Sequence, residues 1–339
     1  MRRKRVLLAH AGGTIGMRRG ASGYEPAAGH LESLLADMPQ LRSPELPATE
    51  SYEFEPLLDS ADMSPRDWVA IAQLIERRYD EFDGFVVLHG TDTLAYTSSA
   101  LSFLLDGLSK PVVVTGSQLP LEVLRSDATE NLLGALLLAA ADDLHEVVVC
   151  FGRAVMRGNR VTKVSSTGFD AFESPNEQLI AKLGVVIEAG PAPRRGPQAG
   201  PLRTARLNEV SVAALRLFPG IRAGLVENVL RPPLAGLVLE TFGSGNAPSR
   251  DEELLRALSE ASERGVVIVN TTQCLRGGVD MSGYATGSAL ARAGVVSGGD
   301  MTQEAALTKL IWLLGQGLGA LEARSLVQAD LRGELTDAA

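Results

Sequence analysis

Cysteine is scarce in this chain of 339 residues: only Cys150 and Cys274 are present. With no CxxC or Cys/His spacing around them, they cannot frame a structural zinc site. Each lies in or at the end of an apolar stretch, so the expectation is two buried, reduced thiols. Long apolar runs are missing as well. No stretch approaches the about 18 consecutive apolar residues that a membrane helix requires. The basic Met1–Arg5 is followed by only Val6–Ala9 before His10 interrupts, which is too short for a signal peptide, so the expected location is the cytoplasm. An excess of positive charge is lacking too. The 32 Lys and Arg against 41 Asp and Glu leave a net charge of -9, a field that opposes nucleic acids and anionic membranes as partners. Neither a GxGxxG nor a Gly-Lys-Ser/Thr phosphate loop occurs, and no GxSxG, which removes the usual nucleotide folds and the serine-elbow hydrolases. No repeat of solenoid period is visible.

What is present is an alternation. Apolar runs rich in Val, Ile and Leu at Arg5–Ala9, Gly84–Leu88, Pro111–Thr115, Glu146–Phe151, Gly236–Glu240 and Gly265–Asn270 read as strands. Their nearly continuous apolarity predicts parallel strands covered on both faces. Between them, Pro65–Tyr79, Thr93–Leu105, Asp127–Ala141, Asp251–Glu263 and Thr302–Leu314 carry helical periodicity. Ser64 before Pro65 marks one helix start, and Ser126 or Asp127 can cap another. The expected fold is α/β, a larger N-terminal domain with a mostly parallel sheet followed by a smaller C-terminal α/β domain. The clearest break is at 189–201, with Pro191, Pro193, Pro197 and Pro201 among Gly190, Gly196 and Gly200. The domains are therefore placed at 1–188 and 209–339, with 189–208 as linker.

Ligands of open α/β sheets collect beyond the carboxyl ends of the strands. Four polar clusters follow strand candidates or precede a capped helix: Gly12-Gly13-Thr14-Ile15-Gly16, Leu58-Asp59-Ser60-Ala61-Asp62, His89-Gly90-Thr91-Asp92-Thr93, and Arg157 to Lys163. Each has an ordinary reading. Thr14 can be a turn threonine, Asp92 a first-turn carboxylate, Asp59 a solvated cap, Lys163 a surface charge, and His89 a structural imidazole rather than a triad member. Each also has a chemical one. A close-fitting glycine loop can present a nucleophilic hydroxyl, the Asp59 cluster offers the groups that hold a zwitterion, and Lys163 could tune Thr91 if the fold brought them together.

Taken together, the clusters resemble those of the L-asparaginase family of the bacterial asparaginase/glutaminase superfamily, most closely its type I, cytoplasmic branch. The resemblance runs from the first strand through Asn246-Ala247-Pro248 and Gly283-Tyr284-Ala285-Thr286-Gly287 to the last helix. It implies hydrolysis of L-asparagine to aspartate and ammonia, with Thr14 forming an acyl enzyme and Tyr24 on a movable cover over it. It implies a second group of Thr91, Asp92 and Lys163, with Asp92 also holding the α-amine of the substrate. Asp59, Ser60 and Ala61 would grip the α-carboxylate and α-amine, and a backbone carbonyl at Ser117 would face the scissile amide. Asn246 would come from a neighbouring subunit, in a homodimer or a homotetramer built of intimate dimers. No cofactor and no metal is implied, and the partners are asparagine and water. Whether Tyr24 or Lys163 activates Thr14 is left open by the residues. Some type I members carry an allosteric asparagine site anchored by an arginine after the first strand of the second domain. Here that position holds Glu240, whose carboxylate would repel an effector carboxylate, so cooperativity of that kind is not expected.

Overall fold

The protein is described by a computed structural model covering residues 2–21, 23–281 and 285–336. The chain divides into two compact units, Met1–Ala205 and Arg206–Ala339.

The first unit begins with β1 (Arg5–Gly12), then an antiparallel hairpin of β2 (Met17–Gly20) and β3 (Gly23–Pro26), α1 (His30–Asp37), β4 (Ala48–Leu58) and α2 (Pro65–Arg77). It continues through β5 (Gly84–Leu88), α3 (Leu94–Leu104), β6 (Leu105–Asp106), β7 (Val112–Thr115), α4 (Ala128–Ala139), β8 (Val147–Phe151) and β9 (Ala154–Arg157). Short strands close it: β10 (Thr162–Lys163), β11 (Phe172–Glu173), β12 (Ala181–Leu183), β13 (Ile187–Ala189) and β14 (Arg203–Thr204). Its main sheet has eight strands in the order β13-β12-β9-β8-β7-β5-β1-β4. From β4 to β8 every pairing is parallel, and β9, β12 and β13 add an antiparallel edge. β5, β7 and β8 are buried at every position, which is why they read as unbroken apolar runs.

Chain direction in the sheet reverses at β1: the chain passes outward to β4, then returns to β5 on the other side. Neighbouring loops therefore leave the carboxyl ends of β1 and β5 in opposite directions, and a crevice opens between them. Helix starts are set by local chemistry. The Asp67 carboxylate accepts the Ser64 N–H at 2.7 Å and its hydroxyl at 2.8 Å, ahead of Pro65 in the first turn of α2. Trp68, Ile71, Ala72, Leu74 and Ile75 then form its buried stripe.

β4 was not among the expected strands. Its sequence, ATESYEFEPLL, is polar because it lies at the sheet edge with mostly exposed or half-buried positions, so no apolar run announces it. The short strand β14 pairs with β6, so Arg203 and Thr204 belong to a ladder rather than to free chain.

The second unit carries β15 (Ser211–Arg216), α5 (Ala223–Val229), β16 (Leu234–Thr241), α6 (Glu252–Glu263), β17 (Val267–Thr272), α7 (Ala285–Arg292), β18 (Val296–Ser297), α8 (Gln303–Gly315) and α9 (Ala320–Val327). β15 to β18 form a four-stranded sheet in sequence order, all parallel. Strand alternation sorts its side chains into two cores. Leu237, Leu239 and Ile268 pack with α5, α6 and α7 on one face. Val238, Val267 and Val269 pack with α8 and α9 on the other. Caps open two helices here: Asp251 Oδ1 accepts Leu254 N–H at 3.0 Å, and Thr302 Oγ1 accepts Ala305 N–H at 3.1 Å. Both units are α/β, with the larger and mostly parallel sheet first, in line with the fold expected. Gly283 and Tyr284 of the last motif lie outside the described residues.

Cys150 is buried on β8, and burial pushes its thiol up to about 12. Cys274 departs from expectation. It follows β17 and is exposed, because the apolar part of that strand ends at Val269 and the strand itself at Thr272, before Cys274 is reached.

Candidate active site

Thr14 sits in a single 3-10 turn, Thr14–Gly16, directly beyond β1. Two glycines make that turn possible. Gly13 has φ 94°, and a Cβ on it would lie 2.3 Å from the Gly90 nitrogen, so no side chain fits. A Cβ on Gly90 would in turn lie 2.5 Å from Ser60 Oγ. These two close approaches stack the loops after β1, β4 and β5 against one another and bring Thr14, Ser60 and Thr91 into one crevice. Among the described residues the Thr14 hydroxyl has no hydrogen-bond partner, so it is free to meet a ligand.

Thr91 is held from two sides. Lys163 Nζ donates to its Oγ1 at 2.9 Å and to Asp92 Oδ1 at 2.7 Å. The Thr91 hydroxyl donates onward to Gln118 Oε1 at 3.2 Å. Lys163 reaches this place because β10 pairs antiparallel with β11, where Lys163 faces Phe172, and Phe172 packs edge-on against Phe151 at 4.9 Å. The lysine side chain is 20% exposed and the Asp92 side chain 66%. Asp92 thus keeps an oxygen available to a ligand.

The Asp59 cluster forms a second 3-10 turn, Ser60–Asp62, with Asp59 Oδ1 accepting Ala61 N–H at 3.0 Å. The Thr93 hydroxyl donates to Ser60 O at 2.7 Å and ties that turn to the start of α3. Ser117 is buried after β7, its hydroxyl donating to Leu119 O. Tyr24 is 45% exposed on β3, a strand that packs on the Thr14–Gly16 turn. Asn246 lies in the second unit, in the tight turn after β16 where its N–H donates to Phe242 O at 2.7 Å.

The parts played here by Gln118, Asp127 and Asn131 escaped the sequence. Gln118 links Thr91 to Gly168, donating its Nε2 to Gly168 O at 2.9 Å. Asp127, expected as a possible helix cap, instead accepts the Gln118 N–H at 3.0 Å and the Leu119 N–H at 3.2 Å, while Ser126 Oγ takes the capping bond from Ala128 N–H. The buried Asn131 donates to Gly116 O at 2.9 Å and accepts Gly152 N–H at 2.9 Å, locking the ends of β7 and β8 together. The only signal for Gln118 is its place next to Ser117 at a strand end.

His89 takes no part in a triad. Its Nδ1 faces Gly90 O at 2.7 Å and so carries the proton, leaving Nε2 to accept the Thr97 hydroxyl at 2.8 Å. Full burial pushes the imidazole down to about 4, so it is neutral at physiological pH. Glu240, next to last in β16, has its carboxyl buried and raised above the ordinary carboxylate range by that burial, 3.7 Å from Arg216. Among the described residues no group of His, Cys, Asp and Glu could hold a metal ion.

Residues 5–193 match the family described as Asparaginase, N-terminal, and residues 211–326 the Glutaminase/Asparaginase C-terminal domain. An Escherichia coli protein named L-asparaginase 1 is 49% identical over 99% of both chains. A mouse protein named 60 kDa lysophospholipase is 44% identical over 98% of this chain and 63% of its own length. The crystal structure of L-asparaginase I from Vibrio cholerae superposes with a TM-score of 0.92 at 47% identity, covering 99% of this chain and all of that one.

Proposed function

The chain belongs to the asparaginase family, and from that premise we propose that it is an L-asparaginase of type I, hydrolysing L-asparagine to L-aspartate and ammonia through a threonine acyl enzyme. The observation that carries the reading is the Lys163 ammonium, bonded at once to Thr91 and Asp92 in the loop on which the Thr14 turn packs, with the Thr14 hydroxyl lacking a partner among the described residues. A pocket that only bound an amino acid would need the carboxylate and the turn amides but not a lysine directed at a threonine hydroxyl.

The chemistry divides between two relays. Thr14 Oγ attacks the side-chain amide carbon of asparagine. A C–O bond forms, the C–N bond breaks, and the hydroxyl proton passes by way of Tyr24 to the departing ammonia. Tyr24 is suited to this because its strand rests on the Thr14 turn. Water then attacks the ester; its proton passes through the Thr91 hydroxyl, which the Lys163 ammonium holds in place, to the departing Thr14 oxygen, and aspartate is released with Thr14 restored. The Thr91 hydroxyl and nearby backbone N–H groups oppose the charge that develops on the carbonyl oxygen, worth on the order of 3 to 4 kcal/mol per well-placed donor. Asp59, Ser60 and Ala61 hold the α-carboxylate and α-amine, Asp92 pairs with the amine, and the Ser117 carbonyl orients the leaving amide. Asn246 reaches a neighbouring subunit's site in a symmetric dimer or a tetramer of dimers. No cofactor is called for, and the enzyme works in the cytoplasm. Glutamine is longer by one methylene, which such a pocket discriminates by about 1 to 3 kcal/mol, so weak glutaminase activity accompanies the main one.

The test is ammonia release from L-asparagine, L-glutamine and D-asparagine by the wild type and by Thr14→Ala, with a lysophospholipid ester as a further substrate. The expected outcome is asparagine-selective, hyperbolic kinetics that fall by at least about a thousandfold in Thr14→Ala, in proportion to loss of the nucleophile. Asparagine left intact, or an ester turned over faster than asparagine, would overturn the assignment.

A further inference from the structure

The hairpin that bears Tyr24 is attached to the unit at two places, Gly16 and Gly29, and one buried pair of side chains sits beneath both. His10 faces Glu53 across the β1–β4 ladder, in the last regular register before the strands fall out of step. It shares the face of Val6 and Leu8, beneath α1, and is 3% exposed. Its Nδ1 lies 3.2 Å from Glu53 Oε2. The other carboxylate oxygen, Oε1, accepts the Gly29 N–H at 2.9 Å. Gly29, three residues past the end of the hairpin at Pro26, is the residue from which α1 begins, in the left-handed region at φ 69°. At the opposite end, Gly16 rests on the His10 ring: a Cβ there would lie 2.6 Å from His10 Cε1 and 2.7 Å from Nε2, and 3.3 Å from Leu31 Cβ of α1. The ring thus bears on the start of the hairpin by contact and on its end through Glu53.

One further detail separates this pair from ordinary packing. His10 Nε2 is buried and has no hydrogen-bond partner among the described residues. The ring is therefore held by Nδ1 alone, as the neutral tautomer with its proton toward Glu53. Burial keeps the imidazole below its ordinary range, against the pull of the carboxylate. A core that needed only volume at this position would be served better by an apolar side chain, which leaves no buried nitrogen unpaired.

We propose that His10 and Glu53 act together as positioning residues for the reaction, fixing both attachment points of the β2–β3 hairpin and so setting where Tyr24 stands over Thr14. The inference rests on the reading of Tyr24 as the residue that serves Thr14. Neither His10 nor Glu53 touches substrate. His10 supplies the surface on which Gly16 turns, and Glu53 transmits the position of the ring to Gly29. Loosening either end lets the hairpin drift, and displacement of a reacting group by about 1 Å costs on the order of a hundredfold.

The test compares His10→Ala, His10→Asn and Glu53→Ala with the wild type, reading asparagine kinetics, hydrogen exchange across residues 17–28 and the thermal midpoint. In His10→Ala and Glu53→Ala, kcat should fall by about tenfold to a hundredfold with KM changed less than about threefold, because the substrate-gripping loops lie elsewhere. Exchange across the hairpin should quicken in both. His10→Asn places an amide N–H where Nδ1 stood and should recover most of the lost kcat and exchange protection. The double variant His10→Ala/Glu53→Ala should lose no more than the worse single one, since the two form one linkage. Unchanged hairpin exchange in His10→Ala would overturn the inference whatever substrate the enzyme takes. So would a loss of kcat that His10→Asn repeats in full. A wild type that spared asparagine would refute the assigned function alone, because exchange across the hairpin is read without substrate.

Discussion

Two of the lysine–carboxylate pairs among the described residues, Lys163–Asp92 and Lys309–Glu334, look alike on paper and differ in what surrounds them. In the first unit Lys163 meets Asp92 with the lysine one-fifth exposed and the aspartate two-thirds exposed, and the ammonium also reaches Thr91. In the second unit Lys309 of α8 meets Glu334 with both side chains fully buried. There Lys309 Nζ also donates to Val327 O at 3.0 Å and Ala329 O, while Glu334 accepts the N–H groups of Leu331 at 3.0 Å and Arg332 at 2.6 Å. Every capacity of the buried pair is spent on the chain itself, clamping the segment after α9. The open pair leaves capacity unspent. Solvent screening makes it worth little to folding, about 0 to 1 kcal/mol, but it keeps a charge and an oxygen where a ligand can use them. What distinguishes the proposed site from a staple here is the completeness of hydrogen bonding, not the residue types.

That contrast can be broken at each end. Lys163→Met should lower kcat/KM for asparagine by about a thousandfold, within the range for loss of a general acid–base group, and leave the thermal midpoint nearly where it was. A midpoint that fell steeply would make Lys163 a structural residue. Lys309→Met should do the reverse, costing about 3 to 5 kcal/mol of stability because Glu334 is left buried without its counter-ion. Chemical denaturation would read the loss, and the kcat of the enzyme still folded should equal that of the wild type.

A third buried ionisable group extends the comparison to pH. His89 is neutral in the fold at about 4, against an ordinary value near 6.5, so its contribution is fully present above about pH 6.5 and is lost as pH falls toward 4. The two values differ by enough to remove about 3 kcal/mol over that window. His89→Gln should flatten this part of the stability profile, which a denaturation series from pH 7 to pH 4 would measure. The smallest effect is expected at Asp127. Asp127→Ala removes the acceptor for the Gln118 and Leu119 N–H groups and should lower kcat by about tenfold, through displacement of the loop that faces Thr91. An unchanged kcat would place Gln118 outside the working site.

The parts of the molecule that were legible beforehand share a local cause. Strands β5, β7, β8, β16 and β17 are covered on both faces, so burial wrote itself into the sequence as unbroken apolar runs. Helices α2, α3, α4, α6 and α8 are long enough for their periodicity to stand out. β4 escaped because an exposed edge strand needs no apolar face, and α1, α5 and α9 are too short to hold a pattern against their neighbours. Among the residues proposed for the site, Thr14, Thr91, Asp92 and Lys163 drew notice from the glycine turns and strand ends beside them. Gln118 and Asp127 did not, since an amide and a carboxylate before a helix fit several ordinary roles.

By itself the sequence determined the two-unit α/β plan, the glycine loops at the strand ends and the family to which the chain belongs, because each of these is encoded in residues close together along the chain. The tertiary structure alone decided that Lys163 would lie against Thr91, 72 positions away, that Gln118 would close the other side of that hydroxyl, and that His10 and Glu53 would sit beneath both ends of one hairpin. Those meetings depend on the order of strands in the sheet, and strand order is set by long-range packing that no local pattern records.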